Sequence, residues 1–276
     1  MPTWLITGCS TGLGRALATA VLERGDNAVV TARDAARVED LAERFPSTAL
    51  ALALDVTDHA RVRAVVAAAA ERFGSIDVLV NNAGYGYRAA VEEGDDDDVQ
   101  RLFATNVFGA VAAIKAVLPG MRAQRSGTIV NISSIGARMT PAGSGYYAAT
   151  KAALEGLTGS LRRELEPLGV RAMVVEPGAF RTDFAGRSLQ QSAAPIADYA
   201  ETAGRRRKEH DTAHGTQAGD PAKAAEVLIE SALSSDPPEL LLLGQDALDG
   251  FSAKEQAQRA DVDAWRHLSA GTQFSA

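Results

Sequence analysis

Tyr147 and Lys151 stand four residues apart in GSGYYAATK, residues 143–151. On a helix that spacing puts both side chains on one face, while the adjacent Tyr146 shares its face with the uncharged Thr150. A phenol beside an ammonium is a candidate acid–base group. Its ordinary pKa is about 10. A neighbouring positive charge favours the phenolate and lowers that value, toward the range useful for proton transfer near neutral pH. Reduction of a ketone by hydride needs such a group, because negative charge grows on the oxygen and a proton must reach it. The same pair also suits an ordinary contact on a helix surface, so the rest of the chain has to decide.

A second cluster with chemical meaning is LITGCSTGLGRALA near the start. Its glycines, Gly8, Gly12 and Gly14, follow an apolar run and open a helical one. Glycine permits a tight turn and a close approach of backbone to a pyrophosphate, and the helix N-terminus beyond offers free N–H groups and partial positive charge. Ser10, Thr11 and Leu13 complete the candidate phosphate turn. A tight β-α turn with no ligand would use the same glycines. The next apolar run ends VVTARD, at the place where this architecture meets an adenosine ribose. Arg33 there suits a 2′-phosphate, hence NADP(H). Asp34 beside it would suit the 2′-hydroxyl of NAD(H).

The elements that must hold these groups are legible as alternation. Apolar runs at 3–7, 27–32, 48–54, 76–80, 127–132, 170–175 and 239–243 read as strands buried on both faces. Helical patterns lie between them, at 12–24, 35–45, 58–73, 95–124, 145–167 and 221–234. This predicts an α/β fold, a doubly wound parallel sheet of about seven strands with helices on both faces. Without a linker or repeat, residues 1–276 read as a single Rossmann-like domain. Residues 184–220 form a substrate lid or mobile segment, and 245–276 a polar helical tail.

Composition excludes several classes. Net charge is −7 over 276 residues and the sequence pI is about 5.2, against a general nucleic-acid binder. The single cysteine, Cys9, rules out an internal disulfide and a cysteine zinc cluster. The chain opens directly into a strand-like run, and LFATNVFGAVAAI stops at Lys115, short of the roughly 18 residues of a membrane span. A cytoplasmic protein is the expectation.

Taken together, TGxxxGxG, NNAG at 81–84, Asn106, a serine thirteen residues before a tyrosine, and YxxxK resemble the short-chain dehydrogenase/reductase superfamily over about residues 3–183. The TGCSTGLG, TARD and NNAGYG stretches look similar to the branch containing 17β-hydroxysteroid dehydrogenases. The resemblance implies that Tyr147, not Tyr146, is the acid/base, that Ser134, not Ser133, holds the substrate oxygen, and that Lys151 bonds the cofactor ribose. It implies that Asn106 interrupts its helix and holds a relay water. Asp55 and Val56 should lie by the adenine. Asn82, Ala83 and Gly84 should line the adenosine ribose, and Pro177, Gly178 and Thr182 the nicotinamide carboxamide. Homodimers or homotetramers through helices 95–124 and 145–167 are expected.

Tyr85, Tyr87, Arg138, Met139, Phe180 and Phe184 are candidate pocket residues, consistent with a lipophilic ketone or secondary alcohol. Rival readings are a 3-ketoacyl thioester reductase, an epimerase or dehydratase, and a catalytically silent dinucleotide sensor. The sensor predicts a broken tetrad. EEGDDDDVQ at 92–100 reads as a helix N-terminus rather than a metal site. RRRK at 205–208 reads as a solvated charged face or an attractor of acidic substrates. His210 and His214 read as a surface pair.

Overall fold

The computed structural model describes residues 1–182, 184, 188–213 and 215–274. The chain runs β1 (Thr3–Ile6), α1 (Gly12–Glu23), β2 (Asn27–Ala32), α2 (Glu39–Arg44), β3 (Ala49–Ala53), α3 (His59–Phe73) and β4 (Val78–Asn81). There follow β5 (Gly86–Arg88), α4 (Asp96–Phe103), α5 (Ala110–Gln124), β6 (Thr128–Ile132), α6 (Gly136–Met139) and α7 (Gly145–Leu165). The remainder is β7 (Arg171–Pro177), β8 (Leu189–Gln191), α8 (Ala203–Ala213), α9 (Pro221–Leu233), β9 (Leu240–Leu243) and α10 (Gln245–Ala270).

Among the described residues the seven expected strands form one parallel sheet, in the order β3-β2-β1-β4-β6-β7-β9. Residue alternation sends their side chains to two cores. Trp4, Ile6, Val78, Val80, Val130, Ile132, Met173 and Val175 meet α1 and α9 on one face. Leu5, Val29, Leu79, Ile129 and Ala172 meet α3 and α5 on the other. Each such apolar side chain contributes about 1.5–3 kcal/mol by leaving water. The strand order reverses between β1 and β4, so the turns that follow these two strands flank the crevice where this fold binds ligands.

Several elements depart from the expected pattern. The helix expected over 35–45 breaks into a 3-10 turn at Ala35–Arg37 and α2, because Asp34 caps the turn by accepting from the Ala36 N–H at 3.2 Å. β5 and β8 pair in a small parallel sheet. Asp96–Gln124 is one helical stretch that runs on through Lys115 and is long and apolar enough to cross a membrane by length and composition. Its buried side, including Leu102, Ala113, Ile114, Val117 and Met121, is part of the protein's interior. A π-helical turn, Ala104–Gly109, joins α4 to α5 within it.

The segment expected as a lid is tied down where it is described. Ser192 Oγ donates to the Glu93 carbonyl at 2.5 Å, the Ile196 N–H to Glu93 Oε1 at 2.8 Å, and Tyr199 Oη to Glu92 Oε2 at 2.7 Å. Arg207 pairs with the buried Glu93 carboxylate. RRRK is divided: Arg207 ties this segment to Glu93, while Arg205, paired with Glu201, and Lys208 are exposed. His214 and Asp183 lie outside the described residues, and with His214 the expected His210–His214 pair.

Candidate active site

The glycine turn begins with the carboxyl end of β1. Gly8 and Gly12 adopt φ of 74° and 65°, values that L side chains rarely adopt. A Cβ on Gly14 would lie 2.3 Å from Asn82 Nδ2 and 2.5 Å from the Gly8 carbonyl oxygen. Thr11 starts α1 without a side-chain cap, which leaves the first-turn N–H groups to an anion. Thr7 Oγ1 accepts from the N–H groups of Asn82 and Ala83, both at 3.0 Å. Asn82 Nδ2 donates to the carbonyls of Thr7 and Gly8 at 2.8 and 3.0 Å. Asn82 thus stitches the two turns together. Ser10 is exposed and Leu13 packs on the core beneath.

At the end of β2, Arg33 is exposed. Arg15 adds a second guanidinium, held by Asp40 and by the Arg37 carbonyl at 3.2 Å. Its position directly after Gly14 was the sequence signal for it. Asp55 accepts from the Thr57 N–H and hydroxyl at 2.9 and 2.7 Å. Val56 is buried, and a Cβ on Gly109 in the π-helical turn would come within 2.5 Å of it.

That turn places Asn106 inward, as π-bulges do at functional sites. Asn106 Oδ1 accepts from the Tyr85 N–H at 3.0 Å, and Nδ2 donates to the Tyr85 carbonyl at 2.9 Å and to Thr150 Oγ1 at 3.1 Å. Gly84 lies beside this group: a Cβ there would be 3.0 Å from Asn106 Oδ1 and 3.5 Å from Lys151 Nζ.

Tyr147 and Lys151 share one face of α7 as the spacing required. Lys151 Nζ sits 5.7 Å from the Tyr147 ring centroid and donates to the Ile132 carbonyl at 2.8 Å. Ser134 adjoins the Tyr147 phenol and lowers its pKa, and its Oγ accepts from the Gly136 N–H at 3.0 Å. Tyr146 turns away, donates to the Val91 carbonyl at 2.6 Å and packs on Tyr87.

The expected depression of the Tyr147 pKa is overturned. Burial pushes the phenol up to about 12, against the Ser134 hydrogen bond and the charge of Arg88. The ammonium faces the ring rather than the hydroxyl, so it does not offset desolvation. Lys151 itself is lowered by burial to about 8, with Glu155 acting the other way. Cys9, buried and pushed up to about 12 by desolvation, is not a reactive thiol.

After β7, the Gly178 N–H donates to the Leu243 carbonyl at 2.9 Å, and Pro177 is buried. A Cβ on Gly12 would come within 3.5 Å of Thr182, so the loop after β7 closes over the glycine turn. Asp246, at the start of α10, accepts from the Ala179 N–H at 2.7 Å and braces this loop. Sequence gave no signal for that contact, because 67 residues separate the pair.

Three candidate pocket residues belong to the fold instead. Tyr87 is buried and packs on Tyr146. Arg138 is held by Glu176 and Glu155. Phe180 packs on the core. Phe184 stays beside the site, its ring 5.9 Å from that of Tyr147, and Tyr85 and Met139 are partly or largely open. The acidic run caps α4 through Asp95, which accepts from the Asp98 N–H at 3.1 Å.

Comparison with known proteins shows the family and the fold. The family model described as short chain dehydrogenase matches residues 2–193. Oxidoreductase BOA17 of Botryotinia fuckeliana is 38% identical over 267 residues, 96% of this chain and 97% of that protein. A 3-ketodihydrosphingosine reductase of Bacteroides thetaiotaomicron is 37% identical over 199 residues, 72% of this chain and 71% of that one. The crystal structure of a short-chain dehydrogenase from Streptomyces avermitilis superposes with a TM-score of 0.92 at 40% identity, covering 99% of this chain and 100% of that one.

Proposed function

The chain belongs to the short-chain dehydrogenase/reductase family and is an NAD(P)-dependent oxidoreductase, and on that premise we propose that it is an NADP(H)-dependent reductase of a lipophilic ketone. The observation that carries this reading is the convergence of Ser134, Tyr147, Lys151 and Asn106 beside the glycine turn. A silent sensor would have no need for that constellation.

The residues present fit a dinucleotide. The uncapped α1 N-terminus and the Gly8–Gly14 turn would hold the pyrophosphate. Arg33 would take the 2′-phosphate, since Asp34 is engaged in capping its own turn. Asp55, Val56, Ala83 and Gly84 would line the adenosine side, and Pro177, Gly178 and Thr182 the nicotinamide end. Bound nicotinamide supplies or accepts the hydride. The protein's part is orientation and the proton. Ser134 Oγ holds the substrate oxygen next to the Tyr147 phenol. A phenol pushed up to about 12 is protonated at neutral pH, the form that donates to a nascent alkoxide. Lys151, still mainly charged at pH 7 with a pKa of about 8, would hold the cofactor ribose, since its ammonium faces the Tyr147 ring rather than the phenol oxygen. Asn106 holds the turn through which the proton is replaced.

Exposed Phe184 and Met139 with Tyr85 support an apolar substrate, as does the keto substrate in the name of the Bacteroides relative. For the thioester alternative, Arg207 is taken up by the buried Glu93, while Arg205 and Lys208 of the basic run stay exposed. Exposed Phe108 on the π-helical turn and Leu157 on α7 support a homo-oligomer through those helices.

The test is NADPH oxidation by purified protein with a panel of lipophilic ketones, beside Tyr147→Phe. The variant should bind NADPH as the wild type does and lose at least about a hundredfold in turnover. Turnover that survives the substitution would refute the proton assignment.

A further inference from the structure

Behind the tetrad lies a buried charged cluster that the reading above does not use. Glu176, near the end of β7, is fully buried, and Arg138 Nε donates to its two carboxylate oxygens at 2.7 and 2.9 Å. Arg138 Nη2 lies 3.5 Å from Glu155 Oε2, and the guanidinium stands 5.1 Å over the Phe251 ring of α10. Ser133 Oγ donates to Glu155 Oε1 at 2.6 Å and reaches the Lys151 carbonyl at 3.4 Å.

Each member adjoins a tetrad or loop residue. Ser133 precedes Ser134, Glu155 follows Lys151 by one helical turn, and Glu176 precedes Pro177 and Gly178. Glu176 and Glu155 share the one guanidinium of Arg138. Burial first, and then the charge of Glu155, push the Glu176 carboxyl up to about 7, against the lowering by Arg138. The charged and titratable groups around Lys151 are Tyr147 and Glu155 on its own helix, Arg138 from α6 and Glu176 from β7. Arg88 from β5 acts on Tyr147, while Gly84 and Asn106 face Lys151 as neutral groups.

We propose that Glu155, backed by Glu176 and Arg138, is a positioning residue that keeps Lys151 charged at working pH. This rests on the tetrad reading for its effect on turnover, but not for its effect on Lys151. A buried ammonium titrates toward neutrality unless a negative charge holds it, and Glu155 is the carboxylate acting on Lys151. Ser133 fixes that carboxylate in place by donating to it at 2.6 Å, with the Lys151 carbonyl 3.4 Å from the same Oγ.

The test uses full-length protein and two readouts. One is the titration of the Lys151 13Cε resonance by NMR; Lys151 is the buried lysine among the described residues. The other is the pH profile of kcat/KM for NADPH-dependent ketone reduction. Glu155→Gln should move the Lys151 titration and the alkaline limb of the profile to lower pH by about one unit. Glu155→Asp, which keeps the charge, should restore most of both. In the wild type, independently of any variant, the Lys151 resonance should show a second inflection as the Glu176 carboxyl titrates. A Lys151 titration unmoved in Glu155→Gln, or no second inflection should that variant not fold, overturns the inference. Turnover surviving in Tyr147→Phe would instead remove the tetrad reading and leave the Lys151 titration to judge Glu155 alone.

Discussion

Arg33→Ala separates the two cofactors. Arg33 stands exposed at the end of β2 and makes no ion pair among the described residues. Its neighbour Asp34 accepts from the Ala36 N–H, and Arg15 is already paired with Asp40, whose carboxyl is held below its usual range by that guanidinium. Arg33 is therefore the guanidinium at this strand end with donors to give a phosphate. A charge-assisted contact is worth about 1.5–3 kcal/mol, and exposure to water puts Arg33 toward the lower half of that range. Loss of about 2 kcal/mol is a loss of about thirtyfold in affinity. Fluorescence titration should show NADPH binding weakened by that factor in Arg33→Ala and NADH binding changed less than about twofold. Added salt should weaken NADPH binding in the wild type more than in the variant. Equal weakening of both cofactors, or a wild type that binds NADH as tightly as NADPH, would refute the phosphate assignment and return the ribose to Asp34.

Two further outcomes are expected. Glu93 is buried, and although burial alone raises its pKa, the N–H groups of Ile196 and Ala90 and the Arg207 charge outweigh that and lower it. Its stabilising effect is then full above the ordinary carboxyl range and is lost as pH falls through the depressed folded value. Glu93→Gln should cost about 3 kcal/mol at pH 7 by leaving Arg207 without its partner, should flatten the acid limb of the stability curve, and should speed proteolysis within 192–207; chemical denaturation across pH reads all but the last. Sedimentation velocity should show a dimer or tetramer, and Phe108→Glu should shift it to monomer; a wild type that is monomeric throughout removes the assembly reading.

Much of the fold was legible because its strands are buried on both faces. Runs such as VLV and AMVV can satisfy that burial in few other ways, and the seven runs became the seven parallel strands. The candidate site was legible where its geometry is local. One helical turn sets Tyr147 beside Lys151, and positive φ at Gly8 and Gly12 is a demand of the chain's own turn. What sequence left open depends on distant partners. Arg207 and Glu93 are 114 residues apart, Arg138 and Glu176 are 38 apart, and nothing in RRRK or in SSIGARM marks either as internally paired. β5 and β8, three residues each, have no periodicity to read. Local spacing also misjudged the phenol. The i,i+4 ammonium argues for a lowered pKa, but desolvation is a property of everything packed around Tyr147, and only the assembled tertiary structure decides that burial outweighs the neighbouring charge.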